Sequence, residues 1–262
     1  MVRLRMVVAY DGTDFRGLAP NHGVRTVVGE LQEFLTRMVG HEPAIVMSGR
    51  TDAGVHAWGQ VLSFDAPGDA DIDRFQRSIN AKFGPEIVVR EISVADEDFS
   101  ARYSAAGRRY RYTVVNRPTP DPFLARTAWW VPHKLSVEAM NEASSLLIGE
   151  HDFSSFCRRP KAPKGVDGGV EVSLVRRVTG ARWLLHHEPD VLRFDIEGSA
   201  FCHQMVRSIV GYLVEVGRGR RSTAGLADTL AARDRSAAAQ PAPPHGLCLW
   251  QVDYPEGPVG LE

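Results

Sequence analysis

The sequence predicts an α+β fold of two related halves, each running strand, helix, strand, strand, helix, strand, with mainly antiparallel sheets. Three observations predict it. Alternating and helical hydrophobic periods follow one another in that order between residues 3 and 92, which is a split β-α-β unit. Beyond Phe99 the same succession begins again. The chain has 262 residues, 44% hydrophobic and 24% charged, an ordinary soluble composition with room for two modest cores. The seam is placed at residue 104, giving halves 1–104 and 105–262. Neither half is large, so their sheets are expected to join.

Residues 3–9 read as the first strand and end at the turn Tyr10-Asp11-Gly12-Thr13. A loop with Gly17, Pro20 and Gly23 leads to a helix over 25–39, where Val27, Val28, Leu31, Leu35, Met38 and Val39 share one face and Gly40 is a natural stop. A short strand at 44–47 precedes a polar turn flanked by Gly49 and Gly54. Alternation through Val61, Leu62, Ser63 and Phe64 marks the next strand. A helix over 71–83, closed by Gly84-Pro85, and a strand over 87–92 complete the first half. In the second, 108–116 alternates as a strand and a short strand surrounds Trp129-Trp130. Ser136 caps a helix that runs to Gly149. Residues 158–169 (RRPKAPKGVDGG) combine charge, proline and glycine and read as a mobile basic loop. Strands at 171–185 and 191–197, an almost wholly apolar helix at 204–216, a short helix at 223–233 and a last strand at 247–252 follow.

Composition excludes several functions. No apolar run approaches the ~18 residues of a membrane span, and the amino terminus enters a strand pattern without a leader. Cys157, Cys202 and Cys248 are far apart, with no CxxC pair and no matching histidine spacing. That argues against structural zinc and against a disulfide framework, and suits a reducing cytoplasm. His56, His151, His203 and His245 form no triad or HExxH arrangement, and no dinucleotide or Walker-type glycine loop occurs. A cofactor-free reaction is expected. The net charge of -1 hides an asymmetry: residues 1–100 hold 10 Lys+Arg and 15 Asp+Glu, a balance of -5, so the remainder carries +4. Its positives cluster at Arg108, Arg109 and Arg111, at Arg158, Arg159, Lys161 and Lys164, and at Arg218, Arg220 and Arg221. Such patches bind polyanions, or are solvated surface.

Three residue types in this setting carry chemistry. Arg50, Thr51 and Asp52 succeed one another on the glycine-flanked turn, where side chains more often face a cleft than a core. A carboxylate with ordinary pKa near ~3.9 is ionised there, and a neighbouring guanidinium holds its direction. A turn aspartate can equally be a cap. Arg207 interrupts the apolar helix and needs an anionic partner, for which Asp52 is the proposed candidate, unless it snorkels to the helix edge. Tyr110, among arginines, is either a core aromatic or a group that stacks on a base or exchanges a proton.

The segments GRTDAGVH (49–56), FSARYSAAGRRYRY (99–112), DFSSF (152–156), MVRSIVG (205–211) and GLCLWQVDYP (246–255) occur in the order of the tRNA pseudouridine synthase A family, and the chain resembles that family over nearly its whole length. The resemblance implies two ferredoxin-like halves with merged sheets and a basic cleft between them. It implies a homodimer that isomerises uridine in the tRNA anticodon stem-loop to pseudouridine without cofactor or metal. By motif position Asp52 is the nucleophile, Arg50 and Arg207 hold it, Tyr110 contacts the target base and Leu247 packs beside it. Arg108, Arg109, Arg158, Arg159, Lys161 and Lys164 would grip phosphates. The family's Gly-Trp-Gln after the YDG turn is replaced by Gly17, Leu18 and Ala19, and its glutamine after RTV by Val28, so altered RNA contacts are expected there. Two other classes compete. A non-catalytic RNA-binding protein has no need of a buried arginine–carboxylate pair, and a glycosidase needs a second acid about 5–9 Å from Asp52 for which no residue stands out.

Overall fold

The computed structural model describes residues 1–159, 172–255 and 257–258. In chain order the elements are β1 (Val2–Tyr10), α1 (Val27–Val39), β2 (Val46–Met47), β3 (His56–Ala66), α2 (Ile72–Phe83), β4 (Ile87–Ala95), β5 (Gly107–Val115), β6 (Trp129–Trp130), α3 (Val137–Ser145), β7 (Gly149–Asp152), β8 (Val175–Leu185), β9 (Val191–Gly198), α4 (Met205–Gly217), α5 (Gly225–Ala232), β10 (Leu247–Tyr254) and β11 (Gly257–Pro258). The succession β1-α1-β2-β3-α2-β4 recurs as β5-α3-β8-β9-α4-β10, which is the repeated split β-α-β order read from the sequence.

The chain forms two compact units, 1–110 with 247–262, and 111–246. The division falls inside β5, and the last strand belongs to the first unit, although it closes the second repeat. In that first unit β4, β1 and β3 are antiparallel neighbours, with Met6 opposite Leu62 on one side and Ile92 on the other. The free edge of β3 is shared. β2 pairs antiparallel at Leu62 and Ser63, while β10 pairs parallel at its other end, Cys248 opposite His56 and Leu249 opposite Ala57. A strand that begins beside His56 therefore starts level with the turn at 49–55.

Local signals explain the helices. Thr26 caps α1 by accepting from the Gly29 N–H, and Gly40 ends it in the left-handed region at φ 79°. Asp71 caps α2 through the Arg74 N–H, and Asn80 clamps the helix to β4 by accepting from the Val89 N–H and donating to its carbonyl. Leu4, Met6, Leu31, Leu35, Leu62 and Phe64 are fully buried in this unit.

In the second unit β7, β8 and β9 are antiparallel and β5 pairs parallel with β6. Strand β7 is unforeseen. The predicted helix to Gly149 ends at Ser145, where the Ser144 and Ser145 hydroxyls donate to the carbonyls of Met140 and Glu142. Gly149 then turns the chain into β7 with φ 114°. The cysteine reading is also corrected: Cys157 and Cys202 form a disulfide, their Cα atoms 5.8 Å apart across 45 residues. Only folding brings the end of the 153–157 turn against the entry to α4, where the Arg158 N–H donates to the His203 carbonyl at 2.9 Å. The basic loop predicted at 158–169 lies, from residue 160 onward, outside the described residues, as do Lys161 and Lys164.

The seating of β10 depends on Gly59. A methyl group there would lie 2.6 Å from the Trp250 carbonyl oxygen and 3.2 Å from Gln251 Cα. Gly59→Ala is expected to cost about 1–3 kcal/mol of stability, seen as a lower urea midpoint at nearly unchanged slope. A wild-type midpoint would show that β10 does not approach β3 this closely.

Candidate active site

The turn between β2 and β3 has no regular hydrogen bonding of its own, so other segments hold it. Ser48 Oγ donates to Gln60 Oε1 at 2.6 Å, and Gln60 Nε2 returns a bond to the Gly49 carbonyl at 3.0 Å. Gln60 is itself completely buried on β3. The hydroxyls of Tyr10 and Thr51 share a hydrogen bond of 2.7 Å, which ties the turn to the end of β1. From the other side the Leu18 N–H donates to the Thr51 carbonyl at 3.2 Å and the Gly54 N–H to the Phe15 carbonyl at 3.4 Å. His56 Nδ1 lies 3.1 Å from the Gly12 N and 3.2 Å from Asp11 Oδ1, which ties the end of the turn to the segment after β1.

This framework leaves Asp52 half-buried between an exposed Arg50 and a buried Thr51. Its backbone is fixed, because its carbonyl accepts from the Val55 N–H at 3.2 Å. Tyr110, in the same unit, is 8% exposed, and burial pushes its phenol up to about 12. Arg108 pulls in the opposite direction, while Asp52 and Cys248 add to the rise, so Asp52 and Tyr110 share one electrostatic environment. Tyr110 is therefore a neutral phenol at physiological pH. Leu247 is buried at 6% exposure, one residue before the Cys248–His56 pair. Arg108 donates from Nη2 to the Ser48 carbonyl at 2.8 Å and to that of Arg102 at 3.4 Å, so it also braces the start of the turn. Arg109 is half-buried on β5.

Arg207 belongs to the second unit, on the first turn of α4. Its Nε donates to the Ala242 carbonyl at 2.8 Å, and the Ala242 N–H donates back to the Arg207 carbonyl at 2.9 Å. One turn later a Cβ on Gly211 would lie 2.0 Å from the Gln240 carbonyl oxygen, so only glycine lets this segment lie against the helix. Tyr112 donates to the Pro243 carbonyl at 2.8 Å from the same segment. Arg158 and Arg159 are exposed just after the disulfide.

Sequence reasoning missed several contributors. Tyr10, Gln60 and Ser48 position the turn, yet each reads as an ordinary strand or loop residue. Tyr103 is 80% exposed, with the Arg102 guanidinium 5.4 Å from its ring centre. At the departures at 18 and 28, Leu18 and Val28 are 0% and 1% exposed, so both side chains lie in the core. Among the described residues no helix is long and apolar enough to cross a membrane, and no group of three or more His, Cys, Asp or Glu is placed to hold a metal ion.

A repeated split β-α-β chain, with an aspartate on a braced turn and a buried neutral tyrosine in its electrostatic environment, defines an α+β protein. A family model described as tRNA pseudouridine synthase matches residues 6–104 and 143–255. The chain is 42% identical over 254 residues to tRNA pseudouridine synthase A of Geobacillus kaustophilus, covering 96% of this chain and 94% of that one. The protein of the same name from Bacillus subtilis is 40% identical over 256 residues, covering 97% and 99%. A solved Cbf5-Nop10-Gar1 complex is similar only at a TM-score of 0.33 and 13% identity, over 80% of this chain and 45% of that one, too slight to bear on the fold. The chain belongs to the tRNA pseudouridine synthase family.

Buried phenols set the alkaline behaviour. Burial raises Tyr10, Tyr110, Tyr112 and Tyr254 above the ordinary 10.0, and Arg207 opposes the rise at Tyr112 as Arg108 and Arg5 do at Tyr254. Unfolded tyrosines lose their protons from pH ~10, whereas the folded ones keep them. Their contribution is thus complete below pH ~10 and is lost as pH rises toward the folded values, beginning with Tyr110 at about 12. The urea midpoint is expected to fall steadily above pH ~10, with the tyrosinate absorbance of these four buried residues rising only as the protein unfolds. Free titration of all tyrosines near pH ~10 without loss of structure would contradict this.

Proposed function

We propose that the chain isomerises uridine to pseudouridine in the anticodon stem-loop of tRNA, with Asp52 as nucleophile and no cofactor. One observation carries the reading: Asp52 sits on a turn whose backbone is fixed from both sides, with a neutral Tyr110 in its electrostatic environment. Family membership gives that carboxylate its substrate. The resemblance further supports a cytoplasmic homodimer as the working form, with Arg50 and Arg207 holding the nucleophile.

The reaction breaks C1'–N1 and forms C1'–C5, while the C5 proton leaves and N1 gains one. Nothing is oxidised or reduced. The Asp52 carboxylate forms one bond to the nucleotide, at the sugar or at the ring, and that bond breaks again before product leaves. Holding one fragment covalently lets the uracil turn without escaping. Tyr110 as an undissociated phenol is suited to lie against the base and donate a hydrogen bond, and poorly suited to remove the C5 proton. The target uridine must leave its stack to reach a braced turn, and the exposed Arg102–Tyr103 pair offers a plane against which RNA bases can rest.

The direct test is pseudouridine formation in an unmodified tRNA with uridines in its anticodon arm. Wild type is expected to form product and Asp52→Ala none above background, at comparable tRNA affinity. Binding without product from either protein would replace the enzyme by an RNA-binding module. Tyr110→Phe is expected to stay within about tenfold of wild type at saturating tRNA. A loss of about 10²–10⁴ would instead give the phenol a proton-transfer role.

A further inference from the structure

The second unit contains a cavity of about 470 Å³ whose lining includes none of the residues assigned to the reaction above. Its walls are the turn after β7, with Ser154 and Cys157, and the chain leaving α5, with Asp234. Four arginines line it: Arg158 and Arg159 from the first wall, Arg233 and Arg235 from the second. The sequence clusters gave no hint of Arg233 and Arg235, which stand alone among alanine, aspartate and serine.

We propose that this cavity binds a backbone phosphate of the tRNA substrate, and the inference rests on the RNA-isomerase reading. The arginines are built into position. Arg235 donates from Nη2 to the buried Ser208 Oγ at 3.0 Å and from Nη1 to the Ser155 carbonyl at 3.4 Å, which anchors one guanidinium in the wall and leaves other N–H donors of its fork to spare. The Asp234 N–H donates to Ser155 Oγ at 2.9 Å, so the two walls are stitched together. On the first wall the Cys157–Cys202 disulfide and the Arg158 N–H bond to His203 fix the backbone from which Arg158 and Arg159 project. Arg233 ends α5 in the left-handed region at φ 50°, adding a cation where the helix dipole is negative.

Two carboxylates face this group, and both are already engaged. Asp152 accepts from the Ser154 N–H and hydroxyl and lies 3.4 Å from Arg233 Nε. Asp234 accepts from the Ser236 N–H and hydroxyl. Among the described residues four guanidinium groups against two carboxylates leave a balance of +2. Among the described residues no aromatic ring lines the cavity, so they offer a base no stacking plane and suit a phosphate alone. Planar guanidinium forks match phosphate oxygens, and such contacts fix the register of an RNA without reading its sequence.

Arg158→Ala, Arg159→Ala and Arg233→Ala test the inference singly and together, with Arg235 left in place because it is bonded to the wall. Unchanged melting curves establish that the variants fold. Each substitution is expected to raise the tRNA Kd about three- to tenfold and to make the slope of log K against log salt shallower by about 0.7–0.9. In turnover the loss should appear in KM with little change in kcat. Wild-type salt slopes in the triple variant, with wild type itself active, would overturn the cavity assignment and leave the isomerase reading standing. Failure of wild type to bind or modify tRNA would remove both. Binding of inorganic phosphate that depends on these arginines, without any effect on tRNA, would assign the cavity to a free anion and overturn the proposal.

Discussion

The contact between the 10–18 segment and the 49–55 turn is the constraint on which the first unit depends. Beyond Tyr10 neither segment is helix or strand, and besides the bonds each makes within itself and to other segments, the two bond to one another. A Cβ on Gly12 would stand 2.0 Å from the Val55 carbonyl oxygen, and one on Gly17, at φ 102°, would stand 3.0 Å from that of Thr51. Glycine at both positions lets the backbones approach, and the bonds from Leu18 and Gly54 then close across the gap. Each contributes only about 0.5–1.5 kcal/mol. Their effect on Asp52 is larger than that figure suggests, because a carboxylate on a fixed backbone needs little reorganisation when it meets a substrate.

That contact also explains why the substitutions at 18 and 28 are compatible with an intact turn. Leu18 offers the turn its backbone N–H, which any residue except proline supplies, and its side chain goes into the core with Val28. Leucine and valine at these two places put apolar side chains into the core, while the bond that Leu18 makes to the turn comes from its backbone.

What was legible in the sequence was local. Helical periods over 25–39 and 71–83, Gly40 after the first, and alternation in β3 and β5 gave most elements within a few residues. Asp52, Tyr110 and Leu247 were found by motif, and all three lie in the first unit with the turn. The hidden features are those that only distance in sequence creates. The Cys157–Cys202 bond has no spacing signature, β7 is four residues next to a helix that could have continued, and β10 closes the second repeat yet pairs with β3 in the first unit. The Tyr10–Thr51 bond likewise joins residues 41 apart, each unremarkable alone.

Arginine shows the same limit from another side. Clusters in the sequence treat all guanidinium groups alike, but the fold divides them by partner. Arg3 is bonded to Asp65 and the Phe99 carbonyl, Arg108 to Ser48, and Arg111 with Arg193 to the buried Asp195. These fix strands and turns, and their charge is largely answered within the protein. Arg158, Arg159 and Arg233 stay exposed around a cavity whose carboxylates are already engaged. At physiological salt charges are screened beyond ~8 Å. A polyanion arriving there therefore meets the local balance of the site, and the overall charge of -1 has little influence on it. A nearly neutral chain can in this way present a locally positive surface where exposed arginines outnumber the carboxylates beside them.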